Sequence, residues 1–167
     1  MVSTLGGEWP ISDGFVPIGL LDKPEGGNRP IAVTPYLAAL YLKNKTSIVG
    51  DWDGERMKFW EDAVKGSSAL LAGLRRRLQD ECAIALGQHT AAIYWDLEEF
   101  YDRIDWIRAV DWALQLKFPP KILKVVLSIH AAPRIVRIGK VYADPYLPSN
   151  GLIAGCISAI WLSRIFV

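Results

Sequence analysis

The sequence predicts an α+β domain, and three observations predict it. Helical periodicity recurs along most of the chain, one short apolar run at residues 91–95 reads as a strand, and one alternating stretch around Gly139 reads as a hairpin. These pieces do not alternate as strand–helix–strand units, which argues against a parallel α/β sheet. Half of the 167 residues are apolar and seven are Trp, enough for a real core and too apolar for a disordered chain.

Taken in order, residues 1–30 are rich in Gly and Pro and read as loop with short extended pieces, notably 15–21. Residues 30–42 read as strand turning into helix after Pro35. A further helix is expected over 51–65, with Trp52, Phe59 and Trp60 as its apolar contacts. Gly66-Ser67-Ser68 is a break with N-cap candidates, and an amphipathic helix follows over 69–86, closed by Gly87. A buried strand is expected at 91–96. Asp105 is the N-cap of the next helix, which runs to about residue 116 and stops at Phe118-Pro119-Pro120. Pro120 opens another helix to His130. Residues 134–142 form the expected hairpin, Asn150-Gly151 a turn, and a last helix begins near Gly155. Its apolar periodicity continues to Val167 without a Gly, Pro or polar cap, so the sequence is expected to stop inside a helix.

Lys plus Arg is 19 and Asp plus Glu is 18, a net charge of +1 that excludes a strong global attraction to nucleic acid. Local basic clusters occur at Arg75-Arg76-Arg77, at Lys117, Lys121 and Lys124, and at Arg134, Arg137 and Lys140. Each is either a solvated face or a set of phosphate contacts. The two cysteines, Cys82 and Cys156, form no metal or disulfide pattern, so an intracellular setting is expected, nucleus or cytoplasm left open. Neither a signal peptide nor a membrane span is expected.

The chemistry-bearing segment is Ile93-Tyr94-Trp95-Asp96-Leu97-Glu98-Glu99-Phe100-Tyr101-Asp102-Arg103-Ile104-Asp105. A carboxylate ending a buried strand is costly unless a cation or hydrogen bonds meet it. Asp96 is therefore a candidate ligand for a hard cation such as Mg²⁺. The plainer reading makes it a turn residue and Tyr101 ordinary core. Glu98, Glu99 and Asp105 read as a solvated acidic turn and a helix cap.

Three motifs in order resemble reverse transcriptases of the non-long-terminal-repeat and group II intron type, over about residues 18–167. Ile18-Gly19-Leu20-Leu21-Asp22-Lys23-Pro24-Glu25-Gly26-Gly27-Asn28-Arg29-Pro30-Ile31 is similar to the fingers pattern. The resemblance implies that Lys23 and Arg29 approach the triphosphate of the incoming nucleotide, for which a guanidinium fork and an ammonium are suited. The segment around Asp96 resembles palm motif A. It implies that Asp96 and the backbone carbonyl of Leu97 bind two Mg²⁺ ions, in such sites about 3.5–4 Å apart, and that Tyr101 packs under the sugar and rejects a ribose 2′-hydroxyl. Phe100 departs from the small residue common there.

Leu147-Pro148-Ser149-Asn150-Gly151-Leu152-Ile153-Ala154-Gly155-Cys156-Ile157-Ser158-Ala159 resembles motif B, usually Gly-Leu-Pro-Gln-Gly-Ser-Pro before a helix. Gly151, Leu152 and Gly155 match, and both glycines are expected to let backbone approach the nucleotide. Ile153, Ala154 and Cys156 replace Pro, Gln and Ser, which removes a polar contact to the templating pair. A glycine-started core helix is the alternative for this segment taken alone.

The resemblance implies a right-hand polymerase fold, with fingers and connecting helix in 1–90 and a partial palm in 91–167. It implies an RNA template, a DNA primer and deoxynucleoside triphosphates as partners. The family's aromatic-x-Asp-Asp motif, whose first Asp completes the metal site, does not follow motif B here. Tyr142-Ala143-Asp144-Pro145 precedes motif B and is a decoy. The fragment is thus expected to be inactive alone. Without that neighbour the strand at 91–96 is expected to expose an edge and promote self-association. The alternatives are a non-catalytic nucleic-acid-binding or interaction module of the same descent, and an unrelated hydrolase using Asp96 and Asp102. His89 and His130 are isolated in sequence and read as surface or packing residues.

Overall fold

The computed structural model describes residues 14–56 and 68–166. They form an α+β chain with a four-stranded mixed sheet and five helices among the described residues. Two compact units are present. One comprises residues up to Trp52 together with those from Glu99 onward, and the other comprises Asp53–Glu98. The boundary expected at residue 90 separated fingers from palm, whereas the first unit takes residues from both regions.

The first unit is built on the sheet. β1 (Val16–Asp22) and β2 (Asn28–Ala32) form an antiparallel hairpin. Its turn is closed by hydrogen bonds from Lys23 N–H to Gly27 O (3.0 Å) and from Gly26 N–H to Lys23 O (3.0 Å). Gly26 and Gly27 both have positive φ (92° and 83°), a region closed to most side chains, which is why the turn is Gly-Gly. β3 (Arg134–Ile138) runs parallel to β1, and β4 (Val141–Tyr142) returns antiparallel to β3 through Gly139. The order is β2-β1-β3-β4. One face of β1, with Val16 and Ile18, is buried, whereas Pro17 and Leu21 on the other face are exposed.

Against the buried face lies a core to which α1 (Tyr36–Gly54) gives Leu42, Val49 and Trp52, and α4 (Pro120–His130) gives Val125, Val126 and Ile129. α3 (Trp106–Gln115) adds Ala109 and Ala113, and α5 (Ile157–Phe166) adds Leu162. Asp105 caps α3 as expected, its carboxylate accepting from Arg108 N–H at 2.9 Å. At the far end Lys117 takes a left-handed φ of 56°. Phe118 N–H then donates to Ala113 O (2.8 Å) and Lys117 N–H to Leu114 O (3.0 Å), a Schellman closure. That turn drives Phe118 into the core, edge-on to Trp52 with centroids 4.9 Å apart, while Trp52 Nε1 donates to Leu116 O at 2.8 Å.

Two expectations about helices and strands are revised. α1 is one continuous helix where a gap was expected between residues 42 and 51. Ala38, Leu42, Val49 and Trp52 recur at helical spacing, and burial of that face carries the helix across the polar stretch 43–47. Of the helix expected at 51–65, residues 51–54 belong to α1, and 57–65 lie outside the described residues.

The larger correction concerns residues 91–96. They form no strand, and Ile93, Tyr94 and Trp95 are 77%, 89% and 85% exposed. An extended segment becomes a strand only when a neighbour takes its backbone hydrogen bonds, and among the described residues none pairs with it. The apolar run predicted burial without supplying that neighbour. No sheet edge exists there, so the edge expected to promote self-association is absent. In the same unit, α2 (Ala69–Ala85) is capped by Ser68 Oγ and closed through Gly87 as expected. None of its residues is buried, and Arg77–Glu81 (2.9 Å) pairs along its surface.

Candidate functional site

The first unit brings together parts of all three motifs. Gly151 N–H donates to Ile104 O (2.9 Å) and Leu152 N–H donates to Tyr101 O (2.7 Å). Trp106 Nε1 donates back to Gly151 O at 2.8 Å. The backbone that follows Tyr101 and the loop that precedes α5 are thus hydrogen-bonded to one another across about fifty residues of sequence. Trp106 was not anticipated. Its signal was a Trp in the first helical turn after the Asp105 cap, placed where its N–H needs an acceptor when half-buried.

Gly151 is dictated by this contact. Its φ is 81°, and a Cβ at that position would lie 2.8 Å from Asp102 O and 3.0 Å from Asp102 Cα. Gly155, at φ 90°, faces Ala32 O, which a Cβ would meet at 3.9 Å. Gly155 therefore needs glycine for its backbone conformation, and Gly151 for both conformation and space. Ala32 is the last residue of β2, so an added Cβ at Gly155 would reach the end of that strand only at ordinary van der Waals distance.

Tyr101 is half-buried and packs against the core, with Phe100 edge-on to it at a centroid distance of 5.5 Å. Lys23 lies in the β1–β2 turn and Arg29 in β2 opposite Leu21, both exposed. Arg29 shares Leu21's face of the sheet, the face turned away from the core. Asp96 and Leu97 belong to the other unit, in the irregular exposed segment. Glu99, the next residue but one after Leu97 and the start of the first unit's second piece, has φ 52° and opens the turn in which Asp102 and Arg103 N–H both bond its carbonyl.

No group of three or more His, Cys, Asp or Glu side chains able to hold a metal occurs among the described residues. Asp96 and one carbonyl do not make a site for two Mg²⁺ ions, because each hard cation needs several oxygen ligands. No helix among the described residues is long and apolar enough to cross a membrane.

Beside the loop lies a buried polar cluster that sequence reading passed over. His130 and Ser158 are fully buried, and Cys156 nearly so. Ile153 N–H donates to His130 Nδ1 (2.9 Å), His130 Nε2 meets Ser158 Oγ (3.1 Å), and Ser158 Oγ meets Cys156 Sγ (3.0 Å). Burial first, and the Arg134 guanidinium second, pull the His130 pKa down to about 3. Arg134 itself is buried at the start of β3, its Nη2 3.5 Å from His130 O. A cation at the last turn of α4 is favoured by the helix dipole. The signal for His130 was its place on the apolar stripe Ile122, Val126, Ile129 of that helix, whereas the sequence left it as a surface or packing residue.

No protein-family model matches the chain, and no curated protein matches it in sequence.

Proposed function

We propose that the chain is a fragment of an RNA-directed DNA polymerase of the reverse transcriptase type, comprising fingers and the first part of the palm of a right-hand polymerase. The observation that carries this reading is the docking of the Tyr101 segment onto the Gly151–Leu152 loop. A polymerase needs its sugar-selecting residue and its glycine-rich loop to border one nucleotide site, and two backbone hydrogen bonds hold these segments together.

In this reading Lys23 and Arg29 attract the triphosphate of a deoxynucleotide as point charge and planar fork. Tyr101 presents a ring where an added 2′-hydroxyl would have to sit, and bulk is what rejects it. Gly151 lets the loop close against the Asp102 backbone, and Gly155 supplies the positive-φ turn that leads into α5. Asp96 is the carboxylate assigned to metal in motif A, and among the described residues no group of three His, Cys, Asp or Glu side chains could hold a metal ion. The polypeptide therefore binds primer–template and nucleotide without joining them.

The test uses the purified chain, a labelled DNA primer annealed to an RNA template, deoxynucleoside triphosphates and Mg²⁺. The expected result is a retarded complex with an unextended primer. Extension would overturn the inactivity, and absence of any complex at low salt would overturn the polymerase reading. Retention of the complex by Asp96→Asn is expected, since Asp96 is assigned to chemistry and not to holding the duplex.

A further inference from the structure

We propose that His130 is the positioning residue of the 151–156 loop, acting through one backbone amide and a Ser158–Cys156 relay. The directions of the two imidazole hydrogen bonds follow from a single group. The Ile153 amide can only donate, so Nδ1 of His130 must be bare, and the neutral ring carries its proton on Nε2. Nε2–H then donates to Ser158 Oγ, which in turn meets Cys156 Sγ at 3.0 Å in a hydrogen bond that either group can donate. Both ring nitrogens of His130 and the Ser158 hydroxyl thereby have partners, whereas the buried Arg134 Nε beside them has none among the described residues.

The relay joins three pieces of chain. His130 ends α4, Ile153 and Cys156 belong to the loop, and Ser158 stands in the first turn of α5. Cys156 N–H also donates to Ile153 O (3.1 Å), which closes the turn between the two anchored positions. The other end of the loop is held by Ile104 and Tyr101 through Gly151 and Leu152. The loop is therefore fixed from both sides, its first half by the Tyr101 segment and its second half by His130.

A protonated imidazole would have to turn a donor toward the donating Ile153 amide, so the anchor works only with the neutral ring. Arg134 of β3 is the charged group acting on His130, and the Cys156 thiol of the loop is the titratable group at the far end of the relay. Ile157 and Ser158 open α5 with two apolar or small residues, and neither adds a charge. The positioning role stands on these contacts. Its consequence for a templating base pair rests on the polymerase reading above.

The experiment is hydrogen exchange and imidazole ¹⁵N NMR on the whole chain. The wild type is expected to show a bare Nδ1 and a protonated Nε2; the opposite tautomer overturns the proposal. His130→Asn keeps an acceptor oxygen near the Nδ1 position, whereas His130→Gln moves its amide toward the Nε2 position. The expected outcome is Ile153 amide protection retained in H130N and reduced about tenfold or more in H130Q, the size of one lost hydrogen bond. Val49 in α1 should be unchanged in both. Equal losses at Ile153 in the two variants would assign His130 to packing alone and overturn the proposal. If neither variant folds, the wild-type tautomer decides. None of these readouts involves nucleic acid, so failure of primer–template binding and failure of the relay are separately visible.

Discussion

Replacing Gly151 with Ala probes the contact on which the site depends. Two costs arise and can be separated. The first is conformational: an L-residue at φ 81° leaves its preferred regions, at about 1–2 kcal/mol. The second is steric. The new Cβ would stand 2.8 Å from Asp102 O and 3.0 Å from Asp102 Cα, both backbone atoms that no rotamer change can move. Overpacking of this kind costs about 1–3 kcal/mol. Relief requires the loop to withdraw, which lengthens the Leu152–Tyr101 and Gly151–Ile104 hydrogen bonds. The sum is a destabilisation of roughly 2–5 kcal/mol. Gly26→Ala is the control, since Gly26 has φ 92° and nothing within 4 Å of its added Cβ, so only the conformational cost of about 1–2 kcal/mol applies. Urea unfolding of the two variants beside the wild type measures both, with unchanged slope as the condition for comparison. A Gly151→Ala loss no larger than that of Gly26→Ala would refute the close approach of the loop to Asp102.

Three further outcomes are expected. His130 is held near pKa 3 in the folded chain and lies near 6.5 when unfolded, so the unfolded state binds the extra proton between those values. Its contribution is fully present above pH 6.5 and is lost as pH falls, by about 2 kcal/mol at pH 5; urea midpoints from pH 7 to 5 should fall more steeply for the wild type than for His130→Asn. Phe118→Ala removes a ring that is 1% exposed and packed edge-on to Trp52, and should cost about 3–5 kcal/mol in the same assay. Asp105→Ala removes the N-cap of α3 and should cost about 1 kcal/mol, visible as faster exchange of the Arg108 amide.

Local rules made much of the fold legible. Asp105, Pro120, Gly87 and Gly139 each marked a boundary that the structure places there, because caps and turns are decided by neighbours within a few residues. The continuous α1 was missed because burial of Leu42, Val49 and Trp52 outweighs the polar stretch between them, a tertiary effect. The strand at 91–96 was misread for the complementary reason: apolar residues signal burial, but pairing needs a partner elsewhere in the chain. At the site, Gly151 and Gly155 were legible as glycines that had to be glycines, and both have positive φ. What each glycine faces was not legible, since Asp102 and Ala32 are far away in sequence. His130 escaped because an imidazole on an apolar stripe gives no hint of the amide that meets it.

Under the proposed function this chain holds a primer–template. Fluorescence anisotropy of a labelled RNA–DNA hybrid, titrated with the purified chain over a range of salt concentrations, tests it most directly. The expected result is binding at low salt whose logarithmic association constant falls linearly with the logarithm of salt, as phosphate contacts by local basic clusters on a near-neutral chain require. A flat anisotropy at the lowest salt, with the protein folded, would contradict it.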